Sequence, residues 1–292
     1  MRILLIHGRA QGGQVADELK STWVETLRAG YSLASRPWSD AVQVDFPYYA
    51  DVLDHFAAQA ELPLPQDVLA KGGGHDPQFE QFLHGALAEI QAGADIPDDE
   101  VRAELAPGQP QEKGIENWPW TQALIRVIDG RFPRVTGYTV QKVLRDVYLY
   151  ITHREVARQV DAIVEEKLTN EPTLVVGHSL GSVVAYNLLR KHRRNVQLRK
   201  FVTVGSPLGL RVISSKLGVP ENPAGKVGWF NAYDERDVVA LNPLDEVYFP
   251  VDPPVANYNR VRNDTDNRHG IIGYLNDPVI AGQIAAALNG GS

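Results

Sequence analysis

Along the chain, short apolar runs alternate with longer amphipathic stretches. Residues 3–6 are apolar throughout, which predicts a short strand buried on both faces. A helix is predicted over 15–27 and a second strand over 42–46, ending at Pro47-Tyr48-Tyr49. Between 50 and 117 the periodicity weakens. Helical patches at 51–59 and 78–90 are separated by Pro63, Pro65, Gly72-Gly73-Gly74 and the segment 97–114, whose breakers predict loops. The pattern is helical again over 118–168, with breaks around 130–137. Its clearest piece is 148–168, where Val156, Val160, Ile163 and Val164 recur at helical spacing.

After that the alternation is regular. Leu174-Val175-Val176 runs into Gly177-His178-Ser179-Leu180-Gly181 and then into a helix reaching about Arg190. Strands are predicted at 200–204, 229–233 and 255–261, and a closing helix at 278–288. The expectation is an α/β fold with a mostly parallel sheet flanked by helices. One domain spans 1–292, with 50–147 as a helical, cap-like insertion before the turn at Ser179. Ligands of such sheets bind beyond the carboxyl ends of the strands, which is where the chemically suggestive residues fall.

An apolar strand, Gly-His-Ser-Leu-Gly and a helix together make the context of a nucleophile elbow. The turn is tight enough that Gly177 and Gly181 are the residues that fit, and Ser179 is lifted above the sheet in a strained conformation. A serine hydroxyl needs a base to take its proton. In the chain order typical of the architecture such an elbow belongs to, the acid and then the histidine follow the nucleophile, and of the eight histidines only His192 and His269 follow Ser179. His192 ends the adjacent helix, so His269, after the last predicted strand, is the expected base. A carboxylate must hold the tautomer of that base. Asp234, Asp237 and Asp245 all follow the strand at 229–233; Asp237 is preferred and Asp234 is the alternative, a rejected candidate stabilising a turn. The oxyanion is expected to accept from the Leu180 amide and from a second donor after the first strand, assigned to the amide of Arg9. The Arg9 side chain either adds charge there or points to solvent. His7 reads as a residue that shapes the first loop, and His178 as a buried neighbour of the elbow.

Composition narrows the classes. A formal net charge of −7 argues against a nucleic-acid footprint. The cluster Arg190-Lys191-His192-Arg193-Arg194 reads as a solvated helix end. With no cysteine there is no disulfide, thiolate nucleophile or cysteine metal site. The opening residues do not read as a signal peptide, and no run approaches the roughly 20 apolar residues of a membrane span, so the expected location is cytoplasmic.

These residues resemble the α/β-hydrolase-fold serine hydrolases: His7-Gly8 in the oxyanion loop, the elbow at 177–181, Asp237 and His269. With Thr203-Val204-Gly205-Ser206-Pro207-Leu208-Gly209, the chain is similar to the lipase and esterase branch. The resemblance covers about 1–50 and 150–292. It implies a Ser179–His269–Asp237 triad, a covalent acyl-enzyme, a small acyl substrate, and no metal or organic cofactor. Two departures stand out: the family's antiparallel edge strands are missing from the pattern, and 50–147 matches no lid. Tyr48, Trp118 and Trp120 are candidates for an acyl pocket, against the simpler reading of aromatics in a helical core. Thioesterase, lactonase or acyltransferase chemistry uses the same parts. A ligand-binding protein on a hydrolase scaffold is the alternative from another class.

Overall fold

Uniformly apolar strands need cover on both faces, and the sheet they build has it. The computed structural model describes residues 1–8, 15–59, 76–114, 117–131, 137–266 and 268–290. Strands β1 (Arg2–Ile6), β2 (Gln43–Asp45), β3 (Thr173–His178), β4 (Leu198–Val204), β5 (Trp229–Ala232) and β6 (Ala256–Tyr258) form one open sheet in the order β2-β1-β3-β4-β5-β6. Every pairing between them is parallel. Because successive side chains alternate faces, the register sorts the core into two layers. Leu4, Val175, Phe201 and Trp229 line up across four strands on one face. Leu5, Val176, Val202 and Phe230 line up on the other.

Helix α1 (Ala16–Leu33) covers the second face with Trp23, Leu27 and Tyr31. The helices between β2 and β3 lie on the first face: α2 (Ala50–Gln59), α3 (Pro77–Gly93), α4 (Asp98–Ala103), α5 (Trp118–Arg131), α6 (Gly137–Thr152) and α7 (Arg154–Glu165). They are joined there by α8 (Leu180–Lys191), which follows the elbow. One apolar cluster runs from Leu4 and Phe201 through Val183 to Phe82, Trp120 and Leu144, so the helices at 50–165 share their core with the sheet. Each such buried side chain contributes about 1.5–3 kcal/mol. Short α9 (Arg211–Ser214) and α10 (Ile272–Leu275) precede the closing α11 (Pro278–Leu288), whose Ile280 and Ile284 join the α1 side.

Several elements differ from the expectation. Helix α1 continues past residue 27 to Leu33, because Gly30 is not a terminator there: a side chain on it would strike the Leu275 carbonyl, so it is the point where α10 approaches α1. The piece expected as one helix over 148–168 is broken at His153, whose backbone is extended (φ −104°, ψ 103°). The acidic segment after Pro97 was expected as loop and contains α4, with Asp98, Asp99 and Glu100 in the first turn, where helix N–H groups favour negative charge. The expected loop after β1 and the breakers Pro63, Pro65 and Gly72-Gly73-Gly74 lie outside the described residues.

Candidate active site

The chain leaves β1 toward β2 on one side, while β3 and the later strands add on the other. The carboxyl ends of β1 and β3 therefore flank the switch point where open α/β sheets bind ligands. Gly8 ends the described chain after β1, and Ser179 follows β3. They touch: a Cβ on Gly8 would lie 2.6 Å from Ser179 Cβ and 3.0 Å from the His178 carbonyl. A Cβ on Gly181 would strike the carbonyls of Ile6 and His7, and one on Gly177 would come within 2.7 Å of Ser182 Cα. Gly8 and Gly181 thus let the elbow lie directly against the end of β1, and Gly177 lets β3 lie against the first turn of α8.

Ser179 has φ 54° and ψ −128°, a conformation that costs a non-glycine residue about 1–3 kcal/mol. A directed chain of hydrogen bonds holds it. The Leu208 amide donates to Ser206 Oγ (3.3 Å), Ser206 and Ser182 hydroxyls bond at 2.7 Å, and Ser182 Oγ donates to the Ser179 carbonyl (2.6 Å). Sequence reasoning missed this support, although Gly205-Ser206-Pro207 carried the signal of a serine-capped turn.

His269 stands above the serine. Its Nε2 lies 2.8 Å from Ser179 Oγ, and its Nδ1 lies 2.7 Å from Asp237 Oδ2. Ser179, His269 and Asp237 are 1%, 5% and 0% exposed, so all three are buried. The other Asp237 oxygen accepts from the Val239 amide (3.1 Å).

Asp234 is engaged elsewhere. Its carboxylate accepts from the Arg236 amide and guanidinium and from the Asn263 amide (2.7 Å), and Arg236 beside it pulls its pKa below the usual carboxylate range against the opposing effect of burial. It closes an Asx turn and ties the β5 loop to the loop that carries His269. Asn263 continues the tie by donating its side-chain amide to the Gly270 carbonyl (2.8 Å). Arg268, next to His269, adopts φ 51°. Asp245 caps its own turn through the Val247 and Tyr248 amides.

The remaining candidates fall in distinct places. His7 is buried; its Nδ1–H donates to the Gly8 carbonyl (2.6 Å) and its Nε2 accepts the Tyr49 amide (3.2 Å). Burial drives its pKa down to about 4, against the smaller upward pull of the Gly8 bond. His7 therefore fixes the β1 loop as a neutral ring. His178 donates Nε2–H to the His269 carbonyl (2.8 Å), and burial holds its pKa well below the ordinary value. This second histidine holds the backbone at His269, a contact the sequence did not disclose.

Leu180 opens α8, so its amide is among those without a partner inside the helix. Arg9 lies outside the described residues. Tyr48 is half-buried, its ring 5.5 Å from that of His7 and its hydroxyl 3.3 Å from Asp51. Trp120 is completely buried in the helical layer with the Arg102 guanidinium 5.8 Å above its ring, and half-buried Trp118 packs against the same cluster. Both tryptophans occupy packing positions in that core. Among the described residues, no group of three or more His, Asp or Glu side chains is arranged to hold a metal ion, and no helix is long and apolar enough to cross a membrane.

Fold and site define an α/β protein built on a single open, all-parallel six-stranded sheet, with a Ser-His-Asp chain at its carboxyl edge. Compared with protein-family models, curated proteins and solved structures, the chain finds no match.

Proposed function

We propose that this chain is a serine hydrolase of the α/β-hydrolase type, cleaving a carboxylic ester or a related acyl bond through a covalent acyl-enzyme. The observation that carries the reading is the continuous hydrogen-bond chain from Ser179 Oγ through His269 to Asp237, at 2.8 and 2.7 Å. Ser179 Oγ attacks the acyl carbon while His269 Nε2 takes its proton, and Asp237 orients the ring and stabilises the imidazolium. The developing oxyanion accepts from the Leu180 amide and, in this proposal, from the amide of Arg9; each such donor is worth about 3 kcal/mol. Collapse of the tetrahedral intermediate expels the leaving group, which receives the proton held by His269. Water then attacks the acyl-enzyme with His269 again as base, releasing the acid and free Ser179.

Turnover of p-nitrophenyl acyl esters of increasing chain length tests the proposal. The wild-type protein is expected to hydrolyse members of the series and Ser179→Ala to fall to background. Equal activity in the two proteins overturns it.

A further inference from the structure

Tyr274 sits five residues beyond His269 in α10 and is fully buried. Its hydroxyl lies 2.6 Å from Asp237 Oδ2, the same oxygen that His269 Nδ1 approaches at 2.7 Å. The direction of the bond is fixed, because the Asp234 amide donates to the phenol oxygen (3.4 Å) and leaves its proton for the carboxylate. Burial and the Asp237 carboxylate raise the tyrosine's pKa well above its ordinary value, so it remains a donor. The end of β4 is shaped around the contact. Gly205, at φ 56° in the left-handed region, packs closely on it: a Cβ would lie 3.0 Å from the Tyr274 ring and 3.3 Å from Asp237 Oδ2, so either neighbour would have to give by a few tenths of an ångström.

We propose that Tyr274 is a positioning residue for the acid–base pair: its hydroxyl clamps Asp237 Oδ2 and limits how strongly that oxygen draws on the Nδ1–H of His269. The proposal rests on the hydrolase reading above. Two donors on one carboxylate oxygen share its negative charge, so the tyrosine tempers the stabilisation Asp237 gives to a protonated His269. Besides Ser179, titratable groups near the pair include His178, with its ring 4.9 Å from that of His269, and Asp234, which is paired with Arg236 and whose amide meets the Tyr274 hydroxyl. His178 stays neutral through burial, and Asp234 is compensated by its arginine. Tyr274 is the neutral donor placed on the oxygen that His269 uses.

The test varies the donor strength at one position. In Tyr274→Phe the donor is gone, Asp237 draws harder on the ring, and the NMR titration midpoint of His269 is expected to rise by roughly half a unit to one unit. The acid limb of kcat/KM against pH is expected to follow it upward. Replacing Tyr274 with 3-fluorotyrosine, a more acidic phenol of nearly the same shape, is expected to move both in the opposite direction. A residue that merely fills space moves neither, so a midpoint unchanged in the fluorotyrosine protein overturns the proposal, even if Tyr274→Phe fails to fold. The ring titration is read without turnover. Absence of ester hydrolysis by the wild type would thus defeat the hydrolase reading and leave the Tyr274 contact separately measured.

Discussion

Asp234 and Asp237 are three residues apart on one loop, both nearly inaccessible to solvent, yet their surroundings give them different work. Asp234 spends its oxygens on Arg236 and on the Asn263 amide, holding two loops together. Asp237 accepts from Val239 and Tyr274 and reserves Oδ2 for His269 as well. Removing the charge at each site separates the roles. Asp237→Asn is expected to lower kcat by about 10⁴-fold with the fold intact, since the ring loses the partner that selects its tautomer. Asp234→Asn is expected to lower the thermal midpoint first, with a far smaller loss in kcat, because it loosens the tether of the His269 loop. Steady-state kinetics and thermal melts of the two variants check this. Loss of turnover confined to Asp234→Asn contradicts the assignment.

At the scale of elements, the sheet was the most legible part of the chain. Short, wholly apolar runs such as Leu174-Val175-Val176 can be satisfied only in the middle of a covered sheet, and each predicted strand pairs in the structure. The elbow was readable for a related reason. Gly177 and Gly181 stand where backbone meets backbone, and only glycine answers that demand. Helix ends were less legible, because packing decided them. The helix predicted over 15–27 runs on to Leu33 with Gly30 packed against Leu275, and the pattern over 148–168 hides the extended residue at His153. Ser179, Asp237 and His269 could be picked out and ordered along the chain from sequence. Their support could not, because Ser182, Ser206, Asn263 and Tyr274 act through contacts between segments distant in sequence. Tyr274 lay in the same short stretch as His269, yet nothing local ties a tyrosine to an aspartate 37 residues earlier. The tryptophans show the converse: aromatic content fitted both a pocket wall and a helical core, and burial in the structure places Trp120 in the shared core.

For the whole molecule, the two buried histidines at the switch point couple folding to acidity. His7 titrates at about 4 in the fold against an ordinary 6.5, and His178 is likewise held well below that value. Below about pH 6.5 the unfolded chain takes up protons that the folded chain refuses. The stability their neutral state contributes is therefore complete above pH 6.5 and is lost as pH falls toward 4. His7 alone is expected to cost about 2 kcal/mol between pH 7 and 5. Urea unfolding at the two values should reveal a loss of that order, and His7→Gln should reduce it; stability unchanged over this interval contradicts the account.

The neutral rings, the strained serine and the shared Asp237 oxygen all serve one claim, that Ser179 is an activated nucleophile. The most direct measurement is covalent labelling of the folded protein with a fluorophosphonate, with the modified residue located by mass spectrometry. The account predicts a single adduct on Ser179 that disappears in Ser179→Ala and forms far more slowly in His269→Ala. A folded wild-type protein that acquires no adduct at Ser179 would contradict it.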